Sequence, residues 1–150
     1  MAEPKTRVKL VPKPVMTAHR RALKKKHLVY VLAVNRPFKY EQGRSRIVYI
    51  GTTANGVQRI AASVAKRSKQ VLEDYGVKHL AVFVLTCEPR QGVEMWRKLE
   101  RAALMAFKEQ HGEIPRLNTQ GKHYKNPAVF KIFNKAAIQK KLAQIENTEI

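Results

Sequence analysis

A small α/β (α+β) domain, one three-stranded sheet packed with helices in the order β-β-α-β-α-α, is the fold this sequence predicts. Three observations predict it. Two short apolar segments, Leu28-Val29-Tyr30-Val31-Leu32 and Ile47-Val48-Tyr49-Ile50-Gly51, repeat a Val-Tyr pair at strand-like composition. A third apolar run, His79-Leu-Ala-Val-Phe-Val-Leu-Thr86, is too short for a helix and is flanked by polar residues. Between and after them lie stretches whose apolar residues recur at helical spacing.

The elements follow in chain order. Residues 28–34 are Leu-rich and Val-rich, and Asn35-Arg36-Pro37 is expected to end the strand. A polar loop, 35–46, with Gly43 inside it, leads to a second strand at 46–51, so the pair reads as an antiparallel hairpin. Thr52-Thr53-Ala54-Asn55-Gly56 is turn chemistry. Beyond it Ile60, Val64, Val71 and Leu72 define a helix of about 57–75, stopped by Gly76. The nearly continuous run 79–86 predicts a buried central strand. Glu88-Pro89-Arg90-Gln91-Gly92 breaks it, and a helix of about 92–110 turns Trp96, Leu99, Ala103, Leu104 and Phe107 inward. Pro127 stands where a last helix begins, ahead of Val129, Phe130, Phe133, Ile138, Leu142 and Ile145.

Composition narrows the partners. The 150 residues suffice for one domain with a real core, and 30 Lys and Arg against 11 Asp and Glu give +19. Such a charge makes a polyanion the default partner, nucleic acid ahead of an anionic membrane. No apolar run nears the roughly 20 residues needed to span a bilayer, and no signal-peptide-like apolar stretch opens the chain. The expectation is therefore an intracellular protein without a membrane partner, cytoplasmic or nucleoid-associated, with nuclear or organellar targeting by the basic N-terminus left open. Cys87 is the single cysteine, which excludes an internal disulfide and a cysteine-rich zinc site. Oxygen ligands must hold any metal.

Charge also divides the chain. Residues 1–26 carry nine Lys or Arg against Glu3 alone, with Pro4, Pro12 and Pro14 in the first half and Arg20, Arg21, Lys24, Lys25 and Lys26 in the second. This reads as a flexible basic arm contacting nucleic-acid phosphates; a targeting address or a solubilising tail is the alternative. The division is an arm, 1–26, a core domain, 27–120, and a C-terminal helical extension, 121–150, packed on the same domain.

Tyr30 on the first strand, Tyr49-Ile50-Gly51 on the second, Arg59 eight residues past that glycine, Glu100 on the long helix and then Asn118 form an ordered set. In this order and spacing, over about residues 27–120, the chain resembles the GIY-YIG nuclease family. The resemblance implies a small three-stranded antiparallel sheet flanked by helices that uses one divalent metal, Mg²⁺ or Mn²⁺, to hydrolyse phosphodiester bonds. It implies Tyr30, Tyr49, Arg59 and Glu100 as catalytic residues, Glu100 as the metal ligand, and Gly51 and Asn118 in support. Leu28-Val29-Tyr30 stands where the family name has Gly-Ile-Tyr. Ser63, four residues after Arg59, stands where family members often carry a His or Tyr that can assist proton transfer.

The chemistry has its own logic. Phosphodiester hydrolysis needs an activated water, stabilised phosphoryl oxygens and help for the leaving oxygen. An arginine in the first turns of its helix can grip a phosphate with two bonds. A carboxylate beside an apolar stripe suits a Mg²⁺ ion that keeps several waters. A tyrosine, with its ordinary pKa near 10, needs a cation nearby to serve as a base. Gly51 is expected to keep the strand end clear for a phosphate.

Each residue also has a plainer reading: the tyrosines as half-buried strand residues, Arg59 and Glu100 on a solvated helix face with Arg97 or Arg101 neutralising the glutamate, Asn118 as a turn former, and the five histidines as surface residues. Glu94 is the competing metal candidate. The expected function is a metal-dependent DNA endonuclease, with DNA preferred over RNA only through the resemblance; the alternative is a nuclease-like nucleic-acid-binding protein that does not cut, for example in a ribonucleoprotein. A homodimer or a ribonucleoprotein partner is left open.

Overall fold

The computed structural model describes residues 5–14, 17–18, 23–74, 76–119 and 127–150. Arg20 and Arg21, assigned above to phosphate contact, lie outside the described residues, as does the 120–126 stretch in which the core domain gives way to the extension.

The elements are β1 (Leu28–Lys39), β2 (Arg44–Thr53), α1 (Val57–Asp74), β3 (Leu80–Leu85), α2 (Met95–His111), a short 3-10 helix (Pro127–Lys131) and α3 (Lys135–Glu146). Both strand pairings are antiparallel and the sheet order is β2-β1-β3. The hairpin prediction holds, and so do the three α-helices in their expected order.

Three expectations change. The run at 80–85 is an edge strand, and the central strand is β1, whose first seven residues are all buried. Unbroken apolarity could not decide between them, because β3 is only half covered on both faces while β1 has neighbours on each side. Asn35-Arg36-Pro37 does not end β1, which runs on to Lys39. Its register against β2 jumps from Ala33↔Ile47 to Phe38↔Ser45, so Pro37 sits in a stretch with no partner residue on β2 and its missing N–H costs no rung. The expected 35–46 loop shrinks to the turn at 40–43, closed by Tyr40 N donating to Gly43 O at 2.9 Å. The single C-terminal helix becomes two pieces, because the Asn134 side chain accepts from Ala137 N at 3.0 Å and starts α3 afresh.

The sheet separates two apolar layers. Val29, Val31 and Ala33 of β1, with Ile47 and Ile50 of β2, pack on Leu99, Ala103, Phe107 and the α3 residues Ile138, Leu142 and Ile145. Leu28, Tyr30, Leu32 and Val34 face the other way, onto Ile60 and Val71 of α1. A second irregularity shapes the site. Leu32 pairs with Tyr49 and Ala33 with Ile47, so Val48 is the extra residue of a β-bulge. The bulge lets Val48 and Tyr49 both join the α1 layer, while Ile47 and Ile50 face α2.

The C-terminal extension docks on the start of β2. Ser45 Oγ donates to one oxygen of the Glu146 carboxylate and Arg46 N donates to the other at 3.1 Å, while the Arg46 guanidinium donates to the carbonyls of Ile145, Glu146 and Thr148. An arginine on the last carbonyls of a helix satisfies groups that have no partner inside it.

Candidate functional site

Tyr30 and Gly51 are direct cross-strand partners, and Tyr49 lies two residues before Gly51 on the same side of the sheet. The two phenol rings meet with centroids 5.8 Å apart at 42°. Both tyrosines therefore point to one face of the sheet. The Tyr30 hydroxyl shares a 2.7 Å hydrogen bond with Ser63 Oγ. Arg67 Nη1 donates to the same Ser63 oxygen at 3.0 Å and lays its guanidinium 3.7 Å from the centre of the Tyr49 ring. Four side chains from two strands and one helix thus form a closed cluster: Tyr30, Tyr49, Ser63 and Arg67.

Gly51 has a different reason from the one expected. A Cβ there would lie 2.5 Å from Tyr49 Cε1 and 2.8 Å from its hydroxyl, so the glycine makes room for the phenol rather than for a phosphate. Nor does it end the strand, which continues to Thr53.

Asn118 acts as more than a turn former. Its Oδ1 accepts from Ile50 N at 3.0 Å and its Nδ2 donates to Ile50 O at 2.8 Å, a two-point clamp on the outer edge of β2 between the tyrosine and the glycine. Leu117 N adds a bond to Val48 O at 2.9 Å, so residues 117–118 mimic a neighbouring strand. This fixes the bulge that aims Tyr49.

Glu100 is half-buried on α2 and makes no hydrogen bond or ion pair among the described residues. Burial pushes its carboxyl above the usual range, and the positive charges of Arg97 and Arg101 pull back against that. Neither arginine closes an ion pair with it; Arg97 pairs with Glu94 at 3.2 Å instead, on the exposed side of the helix. Glu94 is thereby accounted for as a surface ion pair, and Glu100 is the carboxylate left without one. The Tyr49 phenol is pushed up to about 12, first by burial and then by the neighbouring Tyr30, with Arg67 opposing and the Glu100 charge adding to the rise. Glu100 belongs to α2, which packs on the face of the sheet opposite the phenols, and its charge makes only a small contribution at Tyr49.

Arg59 is not part of the cluster. It is exposed, and its guanidinium makes no hydrogen bond or ion pair among the described residues. Arg59, Ser63 and Arg67 stand at i, i+4 and i+8 of α1 and share one stripe of the helix. Arg59 is one turn, about 6 Å, N-terminal of Ser63 along it. The cation on the tyrosines is therefore Arg67, which sequence reasoning missed. The i+8 spacing from Arg59 was the signal that could have found it. The Arg67 Nε is buried without a hydrogen-bond partner among the described residues, an unspent donor beside the phenol, and Thr52 Oγ1 is likewise unmet.

The basic arm meets the domain at its root. Gly56 N, at the start of α1, donates to Lys26 O at 2.8 Å, and with φ +74° and the Lys25 carbonyl 3.4 Å from where its Cβ would be, this position requires glycine. Lys24, Lys25 and Lys26 are all exposed there. Among the histidines, His111 departs from a surface reading: it is half-buried, packs on Phe107 with centroids 4.4 Å apart and places Nδ1 3.0 Å from Gln42 O.

No group of three or more His, Cys, Asp or Glu able to hold a metal exists among the described residues. A lone carboxylate such as Glu100 could hold only an ion that takes its other positions from water and substrate oxygens. Comparison with family models, with curated proteins and with solved structures finds no match. No helix among the described residues is long and apolar enough to cross a membrane.

Proposed function

We propose that this chain is a divalent-metal-dependent endonuclease of the GIY-YIG kind that hydrolyses phosphodiester bonds in DNA. What supports the reading is the cluster of Tyr30, Tyr49, Ser63 and Arg67, together with Glu100, a half-buried carboxylate of α2 that has no ion pair among the described residues and whose charge Tyr49 senses. A fold gains nothing in stability from such a carboxylate, so its presence is best explained by a cation it holds.

Glu100 would hold one Mg²⁺ or Mn²⁺, and when bound the ion supplies charge to the phosphoryl and leaving oxygens. The remaining work falls to the chain. The Tyr49 phenol, held up at about 12, keeps its proton at neutral pH and serves as a donor that orients the attacking water or a phosphoryl oxygen. Arg67 fixes that ring from its face, and Tyr30, tied to Ser63, stands against it. Arg59, exposed on the same helical stripe, is free to swing onto a phosphate with two parallel bonds. Asn118 holds the strand register under all of this.

A second reading rests on Ser63. It fills the position of a proton-transferring side chain yet is committed to Tyr30 and Arg67. On that reading the chain binds nucleic acid without cutting, in a ribonucleoprotein or alone.

One experiment separates the two. Supercoiled plasmid, branched DNA and structured RNA are incubated in Mg²⁺ or Mn²⁺ with the wild type and with Glu100→Ala, Arg59→Ala and Arg67→Ala. Metal-dependent cutting of DNA that Glu100→Ala abolishes supports the nuclease. Tight binding with intact substrate in every lane supports the binder.

A further inference from the structure

The only tryptophan of the chain is not used by the proposed chemistry. Trp96 lies on α2, one turn before Glu100, and the ring of His27 is stacked on it with centroids 3.8 Å apart and planes 5° from parallel. His27 is exposed, whereas Trp96 is half-buried beneath it. A core histidine would have both faces covered; this one has one face laid on an indole and the rest turned to solvent.

The placement follows from the strand. Val29, Val31 and Ala33 of β1 face α2, and His27 continues that alternation just ahead of the strand, which brings it to Trp96. Three residues on is Tyr30, roughly 10 Å away along an extended chain. Lys24, Lys25 and Lys26 immediately precede the histidine, and Arg97 and Arg101 flank Trp96 and Glu100 on α2. The Lys26 carbonyl is held by Gly56 N, which anchors the chain on one side of His27 as β1 anchors it on the other. The result is a flat, exposed aromatic face at the end of the run of exposed lysines 24–26.

We propose that the outer face of His27, backed by Trp96, is a stacking platform for an unpaired nucleobase of the nucleic acid that the chain binds. Bases present a π-face whatever their identity, and cations around the ring hold the backbone that carries them. The site would favour nucleic acid with an extruded or single-stranded nucleotide over a continuous duplex, because only an unstacked base can lie on the imidazole. The proposal rests on the nucleic-acid reading above but not on cleavage.

The test uses the full chain without added metal and two probes of equal length and charge: a single-stranded 12-nucleotide DNA, and the same backbone in which every base is replaced by an abasic site. Affinity is measured at several salt concentrations, and Trp96 reports stacking through its own fluorescence. The wild type should bind the base-bearing strand about 5- to 150-fold more tightly than the abasic one, as expected for one stacked base, with a change in tryptophan emission only for the former. His27→Ala should lose that preference while keeping the salt dependence set by the lysines, and His27→Phe should restore it. Equal binding of the two probes by the wild type, or an undiminished preference in His27→Ala, overturns the platform. Failure to bind either strand at low salt overturns both this and the nucleic-acid reading. Base-dependent binding together with intact plasmid in the cleavage assay overturns only the nuclease.

Discussion

Gly51→Ala offers the sharpest check on how the site is built. The added methyl would lie 2.5 Å from Tyr49 Cε1, 2.9 Å from its Cζ and 2.8 Å from its hydroxyl, well inside contact distance. The ring cannot simply step aside: Arg67 covers one face at 3.7 Å, Tyr30 stands 5.8 Å away, and Asn118 holds the backbone on which the ring is mounted. Forcing an extra methyl into a filled site costs about 1–3 kcal/mol. For a chain of this size that is roughly 2–4 °C in Tm for each kcal/mol. In a Tyr49→Ala background the obstruction is gone. There the same substitution should stabilise, by about 0.5–1 kcal/mol, because alanine loses less freedom than glycine in a strand. The double-mutant cycle should therefore show a change of sign and a coupling of about 1.5–4 kcal/mol between the two positions, read by urea or thermal unfolding of the four proteins. An equal loss in both backgrounds would refute the reasoning, since it would locate the need for glycine in the backbone or in the opposing Tyr30.

Four further outcomes are expected. Asn118→Ala leaves the N–H and C=O of Ile50 unmet on the edge of β2, which should cost about 1–3 kcal/mol and speed hydrogen exchange of the Ile50 amide ahead of its β1-facing neighbours. Glu100→Gln should melt above the wild type at neutral pH while abolishing metal-dependent cutting. The folded carboxyl titrates above its unfolded value, so ionisation favours unfolding: wild-type stability falls as pH rises from the unfolded glutamate pKa through the folded one, and the advantage of the variant should vanish in acid below that window. A melt difference that persists unchanged in acid would contradict this. Tyr40 and Tyr49 are both pushed up to about 12 by burial, so the stability they support is present below the unfolded tyrosine pKa near 10 and lost as pH rises from 10 to 12; alkaline unfolding followed by phenolate absorbance should move to higher pH in Tyr49→Phe. Replacing Lys24, Lys25 and Lys26 together by alanine should flatten the slope of log affinity against log salt by at most about 2–3, with no change in melting temperature.

How far the sequence could be read depended on whether a residue's role is set locally. The hairpin, α1 and the inward stripe of α2 follow from composition and spacing, and Tyr30, Tyr49 and Glu100 were singled out by the resemblance, since taken one by one each reads as an ordinary strand or helix-face residue. β3 could not be assigned to an edge, since the order of strands in a sheet is a long-range property that an apolar run does not encode. The bulge at Val48 was invisible for the same reason: it exists through residues 117–118, some seventy positions later, binding the outer edge of β2. Arg67 was missed because attention to Arg59 stopped at the first turns of α1, although the helical repeat carries the same stripe on to Ser63 and Arg67.

Those two missed features bear on each other. The bulge puts Tyr49 into the α1 layer, and only there can it meet the guanidinium that α1 brings down from two turns beyond Arg59. A cation on the face of a phenol ordinarily favours its ionised form, but here burial and the nearby Tyr30 and Glu100 outweigh it, leaving the hydroxyl protonated. The cluster is thus organised to fix a hydrogen-bond donor in place, with Ser63 locking Tyr30 to Arg67, rather than to make a base. On the nuclease reading proposed above, activation of the nucleophile would then fall to Glu100 rather than to the phenols. The half-buried carboxylate of Glu100, which has no ion pair among the described residues, is therefore the residue on which the choice between the two proposed readings is best tested.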